Sequence, residues 1–235
     1  MRKNKSDYLI IIPTYNEKKN VSLILDKIKK RVKFKCDILF IDDNSTDGTI
    51  EILKNIKSKN ISYIIREKKL GIGSAHKFGI RKAYQLKYKY IITMDCDSTH
   101  DPKYINQMVK NIKNKDIIIT NRFAKRDSLK QWNIIRKLIT TFRHLFVTLI
   151  FKTNLDSSGA FRLYNTKKVN LKNILLAKNN GYSFFTESTV ILNNIYKIEQ
   201  IPILLPKRYG GYSKMKLTDV VFGFFYIIFL YFKNI

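Results

Sequence analysis

The sequence predicts an α/β protein with a doubly wound, mostly parallel sheet. Short apolar runs typical of buried strands alternate, in the first half of the chain, with segments whose apolar residues recur every three or four positions. Such alternation places successive strands parallel to one another, with helices on the faces of the sheet. Three of the runs are followed by polar clusters, and ligands of such sheets bind beyond the carboxyl ends of the strands.

Five strands and two helices can be placed along this half of the chain. The strands are predicted at 8–12, 37–41, 61–65, 90–94 and 116–120. The first helix follows Asn20, a candidate N-cap, and its apolar stripe runs from Val21 to Ile28. A second helix is predicted to start at Asp101-Pro102, because proline suits the first helical position. Its stripe runs from Ile105 to Ile112.

Asp95 and Asp97 follow the fourth predicted strand and form the most informative pair in the chain. Side chains alternate along an extended segment, so both carboxylates can point the same way. Two hard oxygen ligands suit Mg²⁺ or Mn²⁺ bound together with a diphosphate. The acidic strand end Asp42-Asp43 and the polar turn from Pro13 to Glu17 are expected at the same edge. Together these three clusters predict a ligand site there.

Residues 128–155 contain no acidic residue and predict a basic amphipathic helix at about 130–152. Its apolar stripe runs from Ile135 to Ile150, and the basic residues off the stripe are Arg136, Lys137, Arg143 and His144. Two interpretations stay open. The helix lies in a membrane interface, or it is an ordinary helix that covers the sheet.

An apolar, aromatic run from Val220 to Phe232 ends the chain, after a basic loop that holds Lys207, Arg208, Lys214 and Lys216. The run is shorter than the ~20 residues that a helix needs to span a bilayer. Its aromatic rings suit a membrane interface better than a water-exposed surface. The sequence therefore predicts a protein that binds a membrane face without crossing it.

The chain is strongly basic, with 45 Lys and Arg against 18 Asp and Glu and a formal net charge of +27. This excess implies an anionic partner such as nucleic acid, anionic lipid or a phosphorylated substrate. Biased codon usage, which enriches Lys, Asn and Ile together, is the alternative explanation. No nucleic-acid-binding motif is recognisable, so we expect no nucleic-acid partner.

Cysteine content and the N-terminus bear on the compartment. Cys36 and Cys96 form no spaced pair, so neither a zinc site nor a disulfide is predicted, and a reducing compartment fits. The first apolar run, Tyr8 to Ile12, is too short for a signal peptide or an anchor.

Seven segments resemble glycosyltransferase family 2, and within it the dolichyl- and polyprenyl-phosphate mannose synthases. They are IIPTYNE (11–17), IDDNSTDGT (41–49), KKLGIGSAHKFGI (68–80), MDCDSTHDP (94–102), TNRF (120–123), SGAFRLY (158–164) and RYGGYSKMKL (208–217). The first, second and fourth mark the whole superfamily, and the last two narrow the resemblance to polyprenyl-phosphate sugar synthases. Asn44, Thr99 and Asn121 depart from the family pattern, in which a metal-binding Gln or a Ser often stands at the position of Thr99.

The resemblance implies a GT-A-type fold and a set of site residues. The implied donor-binding residues are Pro13, Tyr15, Glu17, Ile41, Asp43, Asp95, Cys96, Asp97, Arg122, Arg208 and Lys214. Asp95 and Asp97 match the metal-binding pair, and Cys96 would contribute its backbone. The implied catalytic residues are Asp97, Arg122 and Arg136, of which Arg136 would hold an acceptor phosphate. Arg162 and Tyr164 are expected to pack behind the site.

The implied enzyme is an inverting glycosyltransferase that moves mannose from GDP-mannose onto a dolichyl or polyprenyl phosphate. The alternative is another family-2 transferase, which uses a UDP-sugar on a lipid phosphate or on a sugar hydroxyl. A hydroxyl acceptor needs a base, and Glu187 is the candidate. A peripheral scaffold with a dead site is disfavoured by the intact carboxylates.

The same resemblance divides the chain and places it in the cell. A transferase domain is expected at 1–203 and a basic loop with a short interfacial tail at 204–235. The enzyme is expected on the cytoplasmic face of a membrane, peripheral or monotopic, and a membrane-anchoring protein is included among its candidate partners.

Overall fold

A computed structural model describes residues 5–206, 208–210 and 214–233, so Lys207 of the basic loop and the middle of the last motif lie outside the described residues. The strands are β1 (Tyr8–Thr14), β2 (Asp37–Asp42), β3 (Ile61–Ile65), β4 (Tyr90–Thr93), β5 (Ile117–Asn121), β6 (Arg162–Asn165) and β7 (Ile198–Pro202). The helices are α1 (Lys18–Arg31), α2 (Thr49–Lys54), α3 (Ile72–Gln85), α4 (Lys103–Asn111), α5 (Ile134–Phe151), α6 (Leu171–Ile174), α7 (Ser183–Asn193) and α8 (Leu217–Phe232).

The seven strands form one sheet in the order β3-β2-β1-β4-β6-β5-β7. Every neighbouring pair is parallel except those of β6, which runs antiparallel to both β4 and β5. The predicted α/β fold with a mostly parallel sheet is therefore confirmed, and all five predicted strands lie within two residues of their expected bounds. Strands β6 and β7 were not predicted, since neither has the continuous apolar run by which the others were recognised.

The core fills both faces of the sheet, as the alternation along β1 requires. Ile10 and Ile12 pack on one face, against α1, α2 and α4. Leu9 and Ile11 pack on the other face, against α3 and α6. Since β1 and its neighbours are covered on both sides, their polar ends are the places where the sheet meets a ligand.

The helix starts differ in detail from the prediction. Helix α1 begins at Lys18, so Asn20 lies inside its first turn and the expectation that Asn20 is the N-cap is wrong. Its side chain is buried and donates to the Glu17 carboxylate and to the carbonyl of Gly210. Helix α4 begins at Lys103, next to the predicted start, and Asp101 accepts a hydrogen bond from the Lys103 N–H at 3.0 Å.

Helices α5 and α8 pack against each other and leave most of their apolar surface uncovered. Phe224 of α8 contacts Phe142 and Phe146 of α5, with ring centroids 5.6 and 5.9 Å apart. Val147 is the one buried residue of α5, and Leu138 and Leu149 are 63% and 77% exposed. The second interpretation, a helix that covers the sheet with its apolar stripe, is therefore wrong. Within the described ranges, no helix is both long and apolar enough to cross a membrane.

Candidate active site

The carboxyl ends of β1 and β2 are joined by a buried carboxylate. Asp42 accepts hydrogen bonds from the Thr14 hydroxyl, from the Ser45 hydroxyl and from the Ser45 N–H, at 2.7–2.8 Å. The side chain is fully buried, so it holds two loops together and has no surface for a ligand. One of the acids at the predicted edge is thus structural.

Asp43 is also engaged by the protein. Its carboxylate pairs with Arg66 and accepts from the N–H groups of Leu70 and Gly71, both at 3.2 Å. Arg66 in turn donates to the Ser74 hydroxyl and the Gly71 carbonyl. Asp43 therefore shapes the loop in front of α3, and a role for its carboxylate in base or ribose binding stays a prediction.

The first turn, after β1, is tied to the C-terminal loop. Lys214 donates to the Glu17 carboxylate at 2.5 Å and to the Asn16 carbonyl at 3.0 Å. Pro13 and Tyr15 are half-buried, and the ammonium of Lys69 lies 4.2 Å from the Tyr15 ring centroid. Glu17 and Lys214 thus join the first and last motifs, which are far apart in sequence, at one edge of the sheet.

Asp95 and Asp97 occupy the end of β4 beside this turn. Asp97 accepts from the Thr99 N–H and hydroxyl with one oxygen, and its other oxygen pairs with Arg208 at 2.7 Å. Asp95 is partly exposed, and its backbone N–H donates to Nδ1 of His100 at 2.9 Å. Desolvation in the cavity wall is the main cause of the raised pKa of Asp95, and the neighbouring Asp97 acts in the same direction.

These two carboxylates fit a divalent cation. Among the described residues none donates a hydrogen bond to the Asp95 carboxylate, which faces an open cavity. A carboxylate that has a raised pKa and accepts no hydrogen bond is stabilised strongly when a cation binds to it. In the described part of the chain, no group of three or more His, Cys, Asp and Glu side chains is arranged so that it could hold a metal ion by itself. Two protein oxygens completed by a diphosphate and water are what Mg²⁺ or Mn²⁺ takes in nucleotide sites.

A cavity of about 610 Å³ connects Asp95 and Asp97 with the inner side of α5 and α8. Five predicted site residues line it, namely Asp95, Asp97, Arg122, Arg136 and Arg208. The other predicted site residues, Pro13, Tyr15, Glu17, Ile41, Asp43, Cys96 and Lys214, do not line this cavity. Its outer wall is apolar, with Ile135 and Ile139 of α5 opposite Val220 of α8. The cavity therefore has a charged end and an apolar end.

Arg122 reaches the cavity from the end of β5, where Asp156 holds it. Its Nε and its backbone N–H both donate to one Asp156 oxygen, at 2.7 and 3.0 Å. Burial would raise the pKa of Asp156, but the ion pair and these hydrogen bonds outweigh burial and keep that pKa below its usual range. Arg122 therefore also supports the fold, because its removal would leave a buried carboxylate unpaired.

Helix α5 turns its basic side inward. Asn133 caps it by accepting from the Arg136 N–H at 2.8 Å, and the Arg136 guanidinium lies 3.7 Å from the Trp132 ring centroid. Arg143, two turns further on, donates to the Thr186 hydroxyl at 2.6 Å, and burial together with Arg122 lowers its pKa to about 10. Among the described residues neither arginine pairs with a carboxylate, so both offer positive charge to an anion.

Other named residues are buried away from the cavity. Ile41 is part of the core and its side chain is fully buried, so its donor-binding role stays a prediction for its backbone. Cys96 is buried as well, which leaves its backbone for the predicted role. Arg162 donates to the carbonyls of Gly159, Ser157 and Phe185 and to the Ser188 hydroxyl, and Tyr164 packs in the core. These two are located behind the site, as expected.

Glu187 does not line the cavity. It is buried on α7, accepts from the Asn179 N–H at 2.8 Å and is hydrogen-bonded to the Tyr226 hydroxyl of α8. Its carboxylate therefore joins α7 to α8 and is not placed to act as a base. The geometry speaks against the alternative in which Glu187 activates a hydroxyl acceptor.

The sequence interpretation missed three contributors to this region. Asp156 follows directly on the acid-free stretch 128–155, and that position could have marked it as the partner of a nearby arginine. Arg143 was noted only as a residue off the apolar stripe. Arg66 carries no signal in the sequence, because its pairing with Asp43 depends on how β2 and β3 align.

Comparisons with known proteins identify the family of this chain. Residues 9–170 match the family Glycosyl transferase family 2. An undecaprenyl-phosphate mannosyltransferase of Micrococcus luteus is 28% identical over 211 residues, which cover 88% of this chain and 86% of that protein. A polyprenol monophosphomannose synthase of Mycolicibacterium smegmatis is 24% identical over 218 residues, which cover 90% of this chain and 82% of that protein.

Solved structures share the fold. Glucosyl-3-phosphoglycerate synthase from Mycobacterium tuberculosis, in complex with phosphoglyceric acid, superposes with a TM-score of 0.64 at 14% identity, over 94% of this chain and 79% of the other. The same enzyme with Mn²⁺, UDP-glucose and phosphoglyceric acid gives a TM-score of 0.61 at 14% identity, over 94% and 77%. The match of most of the chain to the family, on a GT-A-like sheet with its acidic strand end facing a cavity, establishes that this protein is a glycosyltransferase that belongs to glycosyl transferase family 2.

Proposed function

We propose that this enzyme transfers mannose from GDP-mannose to a polyprenyl or dolichyl phosphate, with inversion at the sugar carbon. The observation that carries the proposal is the cavity, which begins at two carboxylates, continues past arginines and ends between two apolar helices. A donor diphosphate, an acceptor phosphate and the first isoprene units of a lipid have complementary chemistry to these three parts.

The charges of the cavity favour a phosphate as the acceptor. A lipid phosphate is already anionic at neutral pH, so it attacks without a strong base and needs positioning and charge shielding. The carboxylates that line the cavity are Asp95, Asp97 and Asp219. Asp219 is used to cap α8, where it accepts from the Lys216 N–H at 2.7 Å. Among the described residues, therefore, no carboxylate of the cavity wall is left over to act as the base that a sugar hydroxyl would require.

The reaction joins two anions, and the arginines answer their repulsion. An acceptor phosphate oxygen forms a bond to the anomeric carbon while the bond from that carbon to the donor diphosphate breaks. The nucleoside diphosphate leaves with the electron pair. A divalent cation held by Asp95 and Asp97 would offset the charge of the departing diphosphate. Arg208 pairs with Asp97, and Arg122 lines the same cavity. The planar guanidinium groups of both residues suit phosphate oxygens.

Arg136 is the residue we assign to the acceptor phosphate. It lines the cavity at the first turn of α5, between the carboxylates and the apolar wall, and no described carboxylate neutralises it. Stacking on Trp132 holds its guanidinium in place without consuming its charge.

We propose that the paired helices α5 and α8 lie in the membrane interface, with 204–235 as the attachment segment of the enzyme. Their exposed residues include Leu138, Phe142, Leu149, Phe222 and Phe232. An exposed apolar face of this kind marks a membrane or protein contact, and other residues of the same two helices line the cavity. The lipid tail of the acceptor would stay in the bilayer on the cytoplasmic face while its phosphate enters the cavity.

The names of the two relatives support mannose and a lipid phosphate, whereas the donor base rests on resemblance alone. The structural neighbour that was crystallised with UDP-glucose keeps a UDP-sugar as the second candidate. A panel distinguishes them. Purified protein with Mn²⁺ is incubated with GDP-mannose, UDP-glucose or UDP-N-acetylglucosamine, each with and without a polyprenyl phosphate, and lipid-linked sugar is quantified.

We expect product with GDP-mannose and polyprenyl phosphate, and none when the phosphate is replaced by the free polyprenol. Product from a UDP-sugar with the same acceptor would overturn the donor assignment and keep the acceptor. Transfer to the free polyprenol or to a soluble sugar would overturn the acceptor assignment.

A further inference from the structure

We infer that His100 is a positioning residue for Asp95. Its imidazole fixes the backbone of Asp95 and so aims the Asp95 carboxylate into the cavity, where the proposed function places a divalent cation. The inference rests on that proposed metal site and adds to it a residue that itself does not touch the cation. His100 stands three positions after Asp97 in the motif, and it has no other role in the proposed reaction.

The contact determines which nitrogen of His100 carries the proton. Nδ1 lies 2.9 Å from the Asp95 backbone nitrogen, and a backbone N–H can only donate. Nδ1 is therefore the acceptor, and the neutral ring carries its proton on Nε2. The same Nδ1 lies 3.5 Å from the nearer Asp95 oxygen, and an unprotonated nitrogen forms neither an ion pair nor a hydrogen bond with a carboxylate. His100 thus acts on the Asp95 main chain and leaves both carboxylate oxygens available to a cation.

The ring is held rigidly enough to transmit position. His100 is 4% exposed and stacks on Phe161, with ring centroids 5.1 Å apart and planes at 29°. The loop turns back on itself at Ser98, whose φ of 65° is in the left-handed region. This reversal carries His100 back over Asp95 within five residues.

The two carboxylates are oriented by different residues of one loop. Thr99 has its hydroxyl committed to Asp97 at 2.6 Å. Arg208 holds the other oxygen of Asp97. In the described part of the chain, Asp95 has no such donor on its carboxylate, so its direction is set by its backbone and by His100. Residues that orient metal ligands typically change metal affinity by ~10- to 100-fold when they are removed.

Two substitutions of His100 distinguish the effect of the hydrogen-bond acceptor at Nδ1 from the effect of the imidazole ring as a whole. His100→Asn keeps an oxygen acceptor near the position of Nδ1, whereas His100→Gln carries its amide one methylene further, near Nε2. Mn²⁺ binding to the full-length protein with GDP present is measured by electron paramagnetic resonance of the free ion, without turnover. Thermal melting in metal-free buffer serves as the fold control for each variant.

We expect His100→Gln to raise the Kd for Mn²⁺ about tenfold or more, and His100→Asn to stay within about threefold of the wild type. Unchanged affinity in His100→Gln overturns the inference, and so does an equal loss in both variants that melt like the wild type, because the acceptor atom would then be irrelevant. Absence of Mn²⁺ binding in the wild type would instead overturn the proposed metal site, so the two failures are distinguishable. A purely structural role predicts lower melting temperatures with wild-type Mn²⁺ affinity in the folded protein, which would also overturn the inference.

Discussion

Helices α1 and α5 carry similar amphipathic patterns and place them in opposite ways. In α1 the apolar residues Val21, Ile24 and Ile28 are buried against the sheet, and the lysines face water. In α5 the arginines face a cavity, and Leu138, Phe142 and Leu149 face outward. An amphipathic pattern therefore indicates that one face of a helix is apolar, but it does not indicate which face packs against the rest of the protein. In α5 the polar side is turned inward because the interior next to it is a charged cavity.

Alanine substitutions on the two stripes test this contrast most directly. We expect Ile24→Ala to lower the free energy of unfolding by about 3 kcal/mol, since a fully buried side chain leaves a cavity. The Leu138 side chain is 63% exposed, so Leu138→Ala should change that free energy by no more than about 0.5 kcal/mol. Urea titration of both variants measures the difference. Equal losses would mean that the stripe of α5 is covered in solution.

The second test compares two arginines of the cavity. Arg122→Ala should cost about 3 kcal/mol of stability, because it leaves the buried Asp156 unpaired. Arg136 has no carboxylate partner among the described residues. Arg136→Ala should therefore lower the free energy of unfolding by about 0.5 kcal/mol or less, while it abolishes transfer to the lipid phosphate. Denaturant melts and activity assays on the same samples give both values.

The pH dependence of the stability of Arg122→Ala provides a control for this second test. The folded protein holds the pKa of Asp156 below its usual range, so the pair stabilises the fold above the unfolded pKa of about 3.9 and loses that contribution as the pH falls further. The stability gap between wild type and Arg122→Ala should therefore narrow in acid. A gap that stays constant down to the acid-unfolding limit would show that Asp156 is not its source.

The third test concerns the carboxylates at the other end of the cavity. Asp97→Asn should reduce turnover at least about a hundredfold, which is about 2.7 kcal/mol in the barrier, and EDTA should do the same to the wild type. Asp101→Asn is the matched control, since Asp101 belongs to the same loop but pairs with Arg31 and does not line the cavity. Full activity of Asp97→Asn, or of the wild type in EDTA, would rule out the cation.

The smallest effect on stability, and the most informative for the apolar face, is expected from α8. The double substitution Phe222→Ser and Phe225→Ser should leave melting nearly unchanged, because both rings are more than 60% exposed. It should reduce the fraction of protein that floats with anionic liposomes at low salt. Leu70→Ser, which removes an exposed apolar residue elsewhere, is the control. Flotation equal to that of the wild type would show that this face does not bind lipid.

Sequence patterns were sufficient for the parts of this protein that depend on local order. The apolar runs identified β1, β2, β4 and β5, because a strand buried on both faces needs an uninterrupted apolar segment. The edge strand β3 is only partly buried, but its β-branched and aromatic residues marked it as well. The acidic pair after β4 identified the carboxylates of the cavity, since the ends of parallel strands share one edge. The sequence patterns did not identify β6, a four-residue strand that begins with the buried Arg162. A buried arginine in a strand is possible here only because α7 and the loop before β6 supply hydrogen-bond acceptors for its guanidinium.

The sequence by itself determined the fold class, the edge of the sheet that carries the site and the presence of two unusually basic or apolar segments near the C-terminus. Only the tertiary structure decided which charges neutralise each other. In the sequence, Asp43 and Arg122 are as good candidates for ligand binding as Asp95 and Arg136. In the structure, Asp43 forms an ion pair with Arg66, and Arg122 forms one with Asp156. Asp95 and Arg136 line the cavity, where their charges can act on a ligand. Such pairings join residues that are distant in the chain, so their electrostatic energy depends on a proximity that no local pattern records.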